Sequence, residues 1–141
     1  MSKRLLLLKP IPTSKDAGLL ALRVLVAATM LLRHGLEKFS HFSAMAAHFP
    51  NPLHIGATPS LMFATLADGI CSVLLILGLA TRWAALIEIV NLFVAWSLVL
   101  HFAFFGRTGG EGELVVLYLG AMVALFLMGP GKYSLDGPSG K

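Results

Sequence analysis

Residues 22–39 read LRVLVAATMLLRHGLEKF, an apolar run that ends in a cluster of ionisable side chains. The apolar part is typical of a membrane-spanning helix, which needs about 20 mainly apolar residues. Such a run is expected to end in a turn or a neutral cap, but this one ends in Arg33, His34, Glu37 and Lys38. Ionisable groups at this position need partners or a polar environment, and the rest of the sequence indicates where these could come from.

The composition of the 141-residue chain is that of an integral membrane protein, with the lipid bilayer as its surroundings. Hydrophobic residues make up 57% of it and charged residues 13%, and its mean hydropathy is +0.81. A soluble domain of this size cannot bury so much apolar surface, because its surface-to-volume ratio is too high. Attraction to anionic lipid head groups explains the net charge of +4, so no nucleic acid partner is expected.

Four apolar segments are each long enough for one transmembrane helix. Their bounds are residues 17–36, 60–80, 83–105 and 113–129. Helices are expected because backbone polar groups find no partners in lipid. The predicted fold is all-α, an integral-membrane bundle of four transmembrane helices with a long outer loop between the first and second. Residues 17–129 form a single transmembrane domain in this prediction, between cytoplasmic tails at residues 1–16 and 130–141.

The loop between the first two helices, from Ser40 to Pro59, contains three prolines. Four of its side chains share one helical face, and these are Phe42, Met45, Ala46 and Phe49. This spacing predicts a short amphipathic helix that lies in the membrane interface.

Basic residues predict the orientation of the bundle, because they favour the cytoplasmic side. Seven lie on the side of the two termini: Lys3, Arg4, Lys9, Lys15, Arg82, Lys132 and Lys141. Three lie on the other side: Arg33, Lys38 and Arg107. We therefore expect a multi-pass protein with both termini in the cytoplasm.

Two opposite charges lie inside the predicted spans at a similar depth. Arg23 is about six residues, or ~9 Å, from the inner end of the first helix, and Glu88 is comparably deep in the third. Charges at such depth are costly and usually pair. The sequence therefore predicts a structural ion pair between Arg23 and Glu88. Alternatively, the long side chain of Arg23 reaches the inner interface.

Five polar side chains, contributed by all four helices, lie in or near the outer half of the predicted bundle. They are His34, Lys38, Asp68, His101 and Glu113. His34 shares one helical face with Arg23, so it faces the bundle interior. Asp68 lies ~12 Å deep by helical rise, too far for its short side chain to reach the surface.

These placements predict a polar pocket near the outer face. Asp68 is its candidate catalytic residue, a proton-handling acid, and the other four are candidate ligand-binding residues. For His34, His101 and Glu113 a purely structural role is the alternative. Arg33 and Glu37 are explained by the membrane interface alone.

Metal binding is an alternative function for some of the same residue types. His41, Met45 and His48 stand at i, i+4 and i+7 in the outer loop, a spacing that could present a face for copper. His34 and His101 with an acid could hold a metal inside the bundle. The single cysteine, Cys71, cannot form a CxxC pair and is best explained as a small core residue.

Four stretches give the chain a family resemblance. LRVLVAATMLLRHGLEKF, LILGLATRWAAL, GGEGELVVLYLGA and LMGPGKYSLD follow one another in the order seen in the DoxX family. The resemblance covers about residues 19–136, and GPGKYSLD and the histidine–glycine–lysine pattern at 34–38 are its most specific parts. Asp68 stands where the family usually has a glutamate.

The resemblance implies a small four-helix protein of the bacterial inner membrane. The family takes its name from a subunit of a thiosulfate:quinone oxidoreductase, and other members are linked to thiol, sulfur or oxidative-stress redox systems. We therefore expect a membrane subunit of a quinone-linked redox system. A quinone needs hydrogen-bond donors at its oxygens and a proton source, which histidine, lysine and a buried carboxyl supply.

No residues for a redox cofactor of its own are evident, so the electrons would come from a partner subunit or a soluble substrate. A small-molecule binding or transport protein, for an anion or a weak acid, and a purely structural membrane subunit are the alternatives. The sequence does not decide whether the protein is itself an enzyme, as an oxidoreductase subunit would be, or whether it forms a homo-oligomer.

Overall fold

The computed structural model describes residues 14–103 and 111–137, and all regular structure within them is helical. This agrees with the predicted all-α fold. The helices are α1 (Lys15–Ser40), α2 (Phe42–Ala46), α3 (Ala57–Leu77), α4 (Thr81–Val99) and α5 (Glu111–Met128). We call the end of the bundle at Ser40 the open end, and the end at the turn between α3 and α4 the closed end.

Three of the described helices, α1, α3 and α4, are long and apolar enough to cross a membrane. Helix α5 is apolar as well, but shorter. Large apolar side chains cover the outside of the bundle. Those exposed over 64–70% of their surface are Leu25, Leu32, Trp83, Leu117, Leu127 and Leu135. Such an exterior suits lipid rather than water, because a soluble monomer rarely exposes large apolar patches.

The core is formed by small and medium-sized side chains from the four longer helices. Fully buried examples are Ala27 of α1, Leu75 of α3, Ala84 of α4 and Met122 of α5. Cys71 is buried in the same cluster and is a free thiol, so its assignment to the core is confirmed.

Helices α1, α3 and α4 each contain a π-helical segment, in which the backbone hydrogen bonds skip one extra residue. The three segments are Leu31–Gly35, Leu66–Cys71 and Ala95–Val99. A π turn rotates the following residues relative to an ideal α-helix and often occurs at functional sites. The sequence predicted uninterrupted helices here, so this local geometry was missed.

Helices α1 and α3 approach each other most closely at Gly35. A Cβ atom added to Gly35 would lie 2.5 Å from the backbone oxygen of Asp68. Gly35 therefore has to be a glycine, because no side chain fits between the two backbones. The close contact brings the polar end of α1 against the middle of α3.

Residues 130–137, predicted to be part of a cytoplasmic tail, are packed against the closed end. The backbone N–H groups of Leu135 and Asp136 donate to the carbonyl oxygens of Leu77 and Gly78, at 3.1 and 3.0 Å. The Asp136 carboxylate accepts from the N–H of Thr81 at 3.3 Å. The described part of this segment therefore belongs to the bundle. Residues 1–13 and 138–141 of the predicted tails lie outside the described residues.

The predicted ion pair between Arg23 and Glu88 is wrong. Arg23 is 1% exposed, and its guanidinium donates to the backbone oxygens of Pro130 and Tyr133, the latter at 2.6 Å. Glu88 accepts instead from the hydroxyl of Ser72, at 3.3 Å. Backbone carbonyls of the C-terminal segment thus accept from the two terminal nitrogens of the guanidinium, while Nε has no partner among the described residues. Backbone oxygens leave no mark in the pattern of charged residues, so the sequence pointed to a carboxylate instead.

Candidate functional site

A buried ion pair stands at the centre of the polar region. The Nζ atom of Lys38 lies 2.7 Å from Oδ2 of Asp68, and the two side chains are 11% and 9% exposed. Lys38 also donates to the backbone oxygen of His34 at 3.3 Å. The other carboxylate oxygen of Asp68 accepts from the side-chain amide of Asn91 at 3.0 Å. Both oxygens of Asp68 are therefore engaged, which reduces the cost of keeping the charged pair buried.

Local helix geometry explains how these side chains meet. Asp68 lies in the π-helical segment of α3, next to the close approach at Gly35. Lys38 lies in the short α-helical stretch that follows the π-helical segment of α1. Because the two backbones nearly touch at Gly35, a side chain one turn further along α1 reaches the Asp68 carboxylate.

The ion pair lines a cavity of about 320 Å³, which we call the polar cavity. Its polar side chains are His34, Lys38, Asp68, Asn91 and Tyr118. Its apolar lining residues are Met30, Met45, Phe49, Ala64, Leu92, Ala95, Val99, Leu100, Leu114 and Val115. All three π-helical segments contribute to this lining. A few convergent polar groups in a mainly apolar cavity are typical of a small-molecule site.

His34 and Tyr118 form an aromatic pair on one side of the polar cavity. Their ring centroids are 6.3 Å apart and the ring planes are nearly perpendicular, at 88°. Tyr118 was not predicted as a site residue. It is the one tyrosine in the fourth apolar segment, and a hydroxyl at that depth was the signal that could have identified it.

The structure does not bring His101 and Glu113 to the polar cavity. The third apolar segment was predicted to be helical to residue 105, but α4 ends at Val99. His101 lies in the turn that follows, with a φ of +50°, and is exposed. Glu113 is exposed near the start of α5. Of the predicted pocket, His34, Lys38 and Asp68 line one cavity, together with the unpredicted Asn91 and Tyr118.

A second cavity, of about 340 Å³, adjoins the first and is almost entirely apolar. We call it the apolar groove. Five residues line both spaces: Phe49, Ala64, Asn91, Ala95 and Val99. The other lining residues of the groove are Pro50, Pro52, Leu53, Ile55, Ser60, Phe63, Val90 and Val94. The shared residues place a cavity with polar side chains directly beside an apolar one.

The loop between α1 and α3 forms part of both walls. Met45 and Phe49, on the predicted amphipathic face, line the polar cavity. Asn51 holds the loop by accepting from the N–H of Gly56 at 3.0 Å and the hydroxyl of Ser60 at 3.4 Å. The apolar face of α2 and the residues after it therefore packs toward the bundle.

The residues of the metal alternatives are dispersed. His41 and His48 are exposed, and α2 ends at Ala46, before His48 is reached. The continuous helical face that the i, i+4, i+7 spacing required is therefore not formed. Within residues 14–103 and 111–137, no three histidine, cysteine or acidic side chains are grouped as metal ligands, so His34 and His101 do not share such a cluster.

Comparisons with known proteins find a family match and a similar protein. A family model described as DoxX matches residues 18–102, which include nearly all of α1, the loop after it, α3 and α4. A protein of Haemophilus influenzae described as uncharacterized is 34% identical over 122 residues, covering 83% of this chain and 87% of that protein. No solved structure matches the chain.

Proposed function

The chain belongs to the DoxX family of membrane proteins, and from that premise we propose that it binds a quinone as the membrane subunit of a quinone-linked redox system. The observation that carries the proposal is that the polar cavity and the apolar groove are neighbours that share five lining residues. A lipid-soluble quinone has a polar head with two carbonyl oxygens and an apolar tail. In this proposal the polar cavity takes the head, and the adjacent apolar groove takes the tail.

The polar cavity supplies hydrogen-bond donors for the quinone head. Lys38 carries an ammonium group, Asn91 a side-chain amide and Tyr118 a hydroxyl, and all three side chains line the cavity. His34 adds an imidazole. Asp68, next to the head in this proposal, handles the protons that quinone reduction requires. The tail lies in the apolar groove, between the loop and helices α3 and α4.

The proposed membrane arrangement follows from the helix lengths and the basic residues. The 18 residues of α5 extend for about 27 Å, close to the ~30 Å of a hydrocarbon core, so we count it as a fourth span. Both termini lie in the cytoplasm of this arrangement, and the open end faces the periplasm of a bacterial inner membrane. Electrons then come from a partner subunit or a reduced sulfur compound on the periplasmic side.

An anion site is the second candidate function, because Lys38 lines the cavity. The charge of Lys38 is neutralised by Asp68 at 2.7 Å, however, so the pair offers an anion no net positive charge. This observation favours a neutral ligand such as a quinone.

Binding of two quinone probes to purified protein in lipid nanodiscs tests the proposal. One probe is a benzoquinone with a decyl tail, and the other is the same head group without a tail. Quenching of tryptophan fluorescence reports the dissociation constant. Tyr118→Phe removes one donor and should weaken both probes about fivefold, the equivalent of one hydrogen bond.

Val94→Trp fills the apolar groove, because Val94 lines the groove and not the polar cavity. It should weaken the tailed probe selectively. The matched control is Phe93→Trp, since Phe93 lines neither cavity and is 49% exposed. Failure of both probes to bind the parent protein would show that the quinone proposal is wrong. Uptake of sulfite without quinone binding would support the anion site instead.

A further inference from the structure

Two hydrogen-bonded side-chain pairs connect α3 to α4, one helical turn apart. In the first, the amide of Asn91 donates to Oδ1 of Asp68 at 3.0 Å. In the second, the hydroxyl of Ser72 donates to Oε1 of Glu88 at 3.3 Å. Ser72 follows Asp68 by four residues, and Asn91 follows Glu88 by three, so the pairs are adjacent. The first pair lines the polar cavity, and the second is fully buried behind it.

Within the described ranges, no cation forms a salt bridge with the Glu88 side chain. It is 0% exposed, and Oε2 has no hydrogen-bond partner among the described residues. The ionisable groups that face it are Asp68 and Cys71 of α3 and Lys38 of α1. Lys38 is already paired with Asp68.

The remaining neighbour, α5, presents the apolar side chains of Met122 and Leu125 to this part of the core. A buried carboxylate without a cation is strongly disfavoured relative to the neutral acid. This setting favours the neutral acid form of Glu88, with the unpartnered Oε2 as an atom that can carry the proton.

The surroundings of Glu88 differ on its two sides. Toward the closed end, the neighbouring helices bring Leu75, Ala84 and Leu125, each 0% exposed and apolar, and the buried polar side chains of Arg23 and Thr81 lie further along. Toward the open end lies the Asp68–Asn91 pair at the cavity wall. Among the described residues, the polar groups next to Glu88 on the open-end side lead to the polar cavity, so we expect its proton to exchange with water by way of that cavity.

We propose that Glu88 is a buried proton-binding site that serves the polar cavity. Its use as a proton donor rests on the proposed function. In the step we consider, two thiols at the open end form a disulfide, giving two electrons to the quinone and two protons to water, and the quinone gains one O–H bond at each oxygen. One of the two protons that the quinone gains would leave Glu88 through Asp68, and water at the open end would replace it.

Infrared spectroscopy of the purified protein tests the protonation directly. A neutral buried carboxylic acid gives a carbonyl stretching band that carboxylates lack. We expect this band at neutral pH in the parent protein, its loss in Glu88→Gln, and its retention in the control Glu37→Gln, because Glu37 is exposed. Absence of the band, or its survival in Glu88→Gln, would overturn the proposal.

Two further measurements keep the test decisive. If Glu88→Gln does not fold, Glu88→Asp should retain the band at a shifted frequency, and an unshifted band would assign it to another residue. In heavy water the band should shift as the proton is replaced by deuterium through the cavity. A band that never shifts would mean that the proton is sealed in the core, contrary to the proposal. None of these measurements uses quinone, so their failure is distinct from failure of the quinone-binding test.

Discussion

Lys38 and Asp68 form a buried ion pair, 2.7 Å between Nζ and Oδ2, that joins the end of α1 to the middle of α3. Each residue alone is an expensive group in an apolar bundle, and together they neutralise each other. The polar end of the run at residues 22–39 is thus explained by a partner on another helix. The pair also forms part of the wall of the polar cavity.

The ion pair should show strong energetic coupling. Lys38→Met leaves the Asp68 carboxylate buried without its cation, which should lower the free energy of unfolding by about 3 kcal/mol. The double variant Lys38→Met/Asp68→Asn should lose clearly less than the sum of the single variants. Denaturation in mixed micelles measures the free energy of unfolding of Lys38→Met, Asp68→Asn and the double variant. The control is Glu37→Gln, at an exposed position. Additive single effects would contradict the coupling.

Asp68→Asn should separate binding from chemistry. The amide keeps the size of the side chain and an oxygen that can accept from Lys38, but it cannot accept or release a proton at neutral pH. We expect quinone to bind within a few-fold of the parent affinity. Thiol-dependent quinone reduction should fall about 100-fold or more, the usual contribution of a general acid or base. Equal turnover in variant and parent would exclude Asp68 as the proton-handling acid.

Gly35→Ala should disrupt the crossing of α1 and α3. The added methyl group would lie 2.5 Å from the backbone oxygen of Asp68, so the helices must separate, at a cost of about 1–3 kcal/mol. Gly18→Ala is a matched control in the same helix, because its Cβ would meet nothing within 4 Å. That control should stabilise the helix by up to about 1 kcal/mol. Equal effects of the two changes on thermal unfolding would be inconsistent with this crossing.

Arg23 and Glu88 should behave as independent residues. Arg23→Met removes charged donors to Pro130 and Tyr133, and should lower stability by about 2 kcal/mol and expose residues 130–137 to protease. Combined with Glu88→Gln, the losses should add within about 0.5 kcal/mol. Arg33→Met, at an exposed position, is the control. A large coupling energy would restore the ion pair that the structure lacks.

The proposed topology places Ser43 on the periplasmic side and Ser139 in the cytoplasm. Single cysteines introduced at these positions, in a Cys71→Ser background, can be treated on intact cells with a membrane-impermeant thiol reagent. Ser43 is exposed, so its cysteine should react. The cysteine at Ser139 should react only after the cells are opened. Labelling at Ser139 alone in intact cells would reverse the orientation.

Depth along a helix was the most informative sequence signal for the site. The depth of Asp68 showed that its side chain could not reach the surface and therefore needed a polar partner inside the bundle. That partner is Lys38, whose Nζ lies 2.7 Å from Oδ2 of Asp68. The depth of Arg23 did not predict its partners correctly. They are backbone oxygens, and the positions of charged side chains in the sequence do not reveal them.

The predicted inward position of His101 on α4 was wrong for a different reason. The π-helical segment Ala95–Val99 inserts a rotation, and the helix ends there, so His101 does not continue the inward face. Hydrophobic periodicity assumes 3.6 residues per turn and does not predict such a change. Tyr118 and Asn91 were not predicted as site residues. An uncharged polar side chain in an apolar segment costs less to bury than a charge, so its position alone does not indicate a partner.

The bonds of Arg23 also constrain the order of assembly during synthesis. Its two acceptors follow it by 107 and 110 residues, so α1 enters the membrane long before they are translated. Until then the guanidinium must stay hydrated at the interface, which its long side chain allows. Insertion of α1 into the membrane and formation of the hydrogen bonds of Arg23 are therefore separate events. Residues 130–133, near the end of the chain, supply the last hydrogen bonds of the first helix.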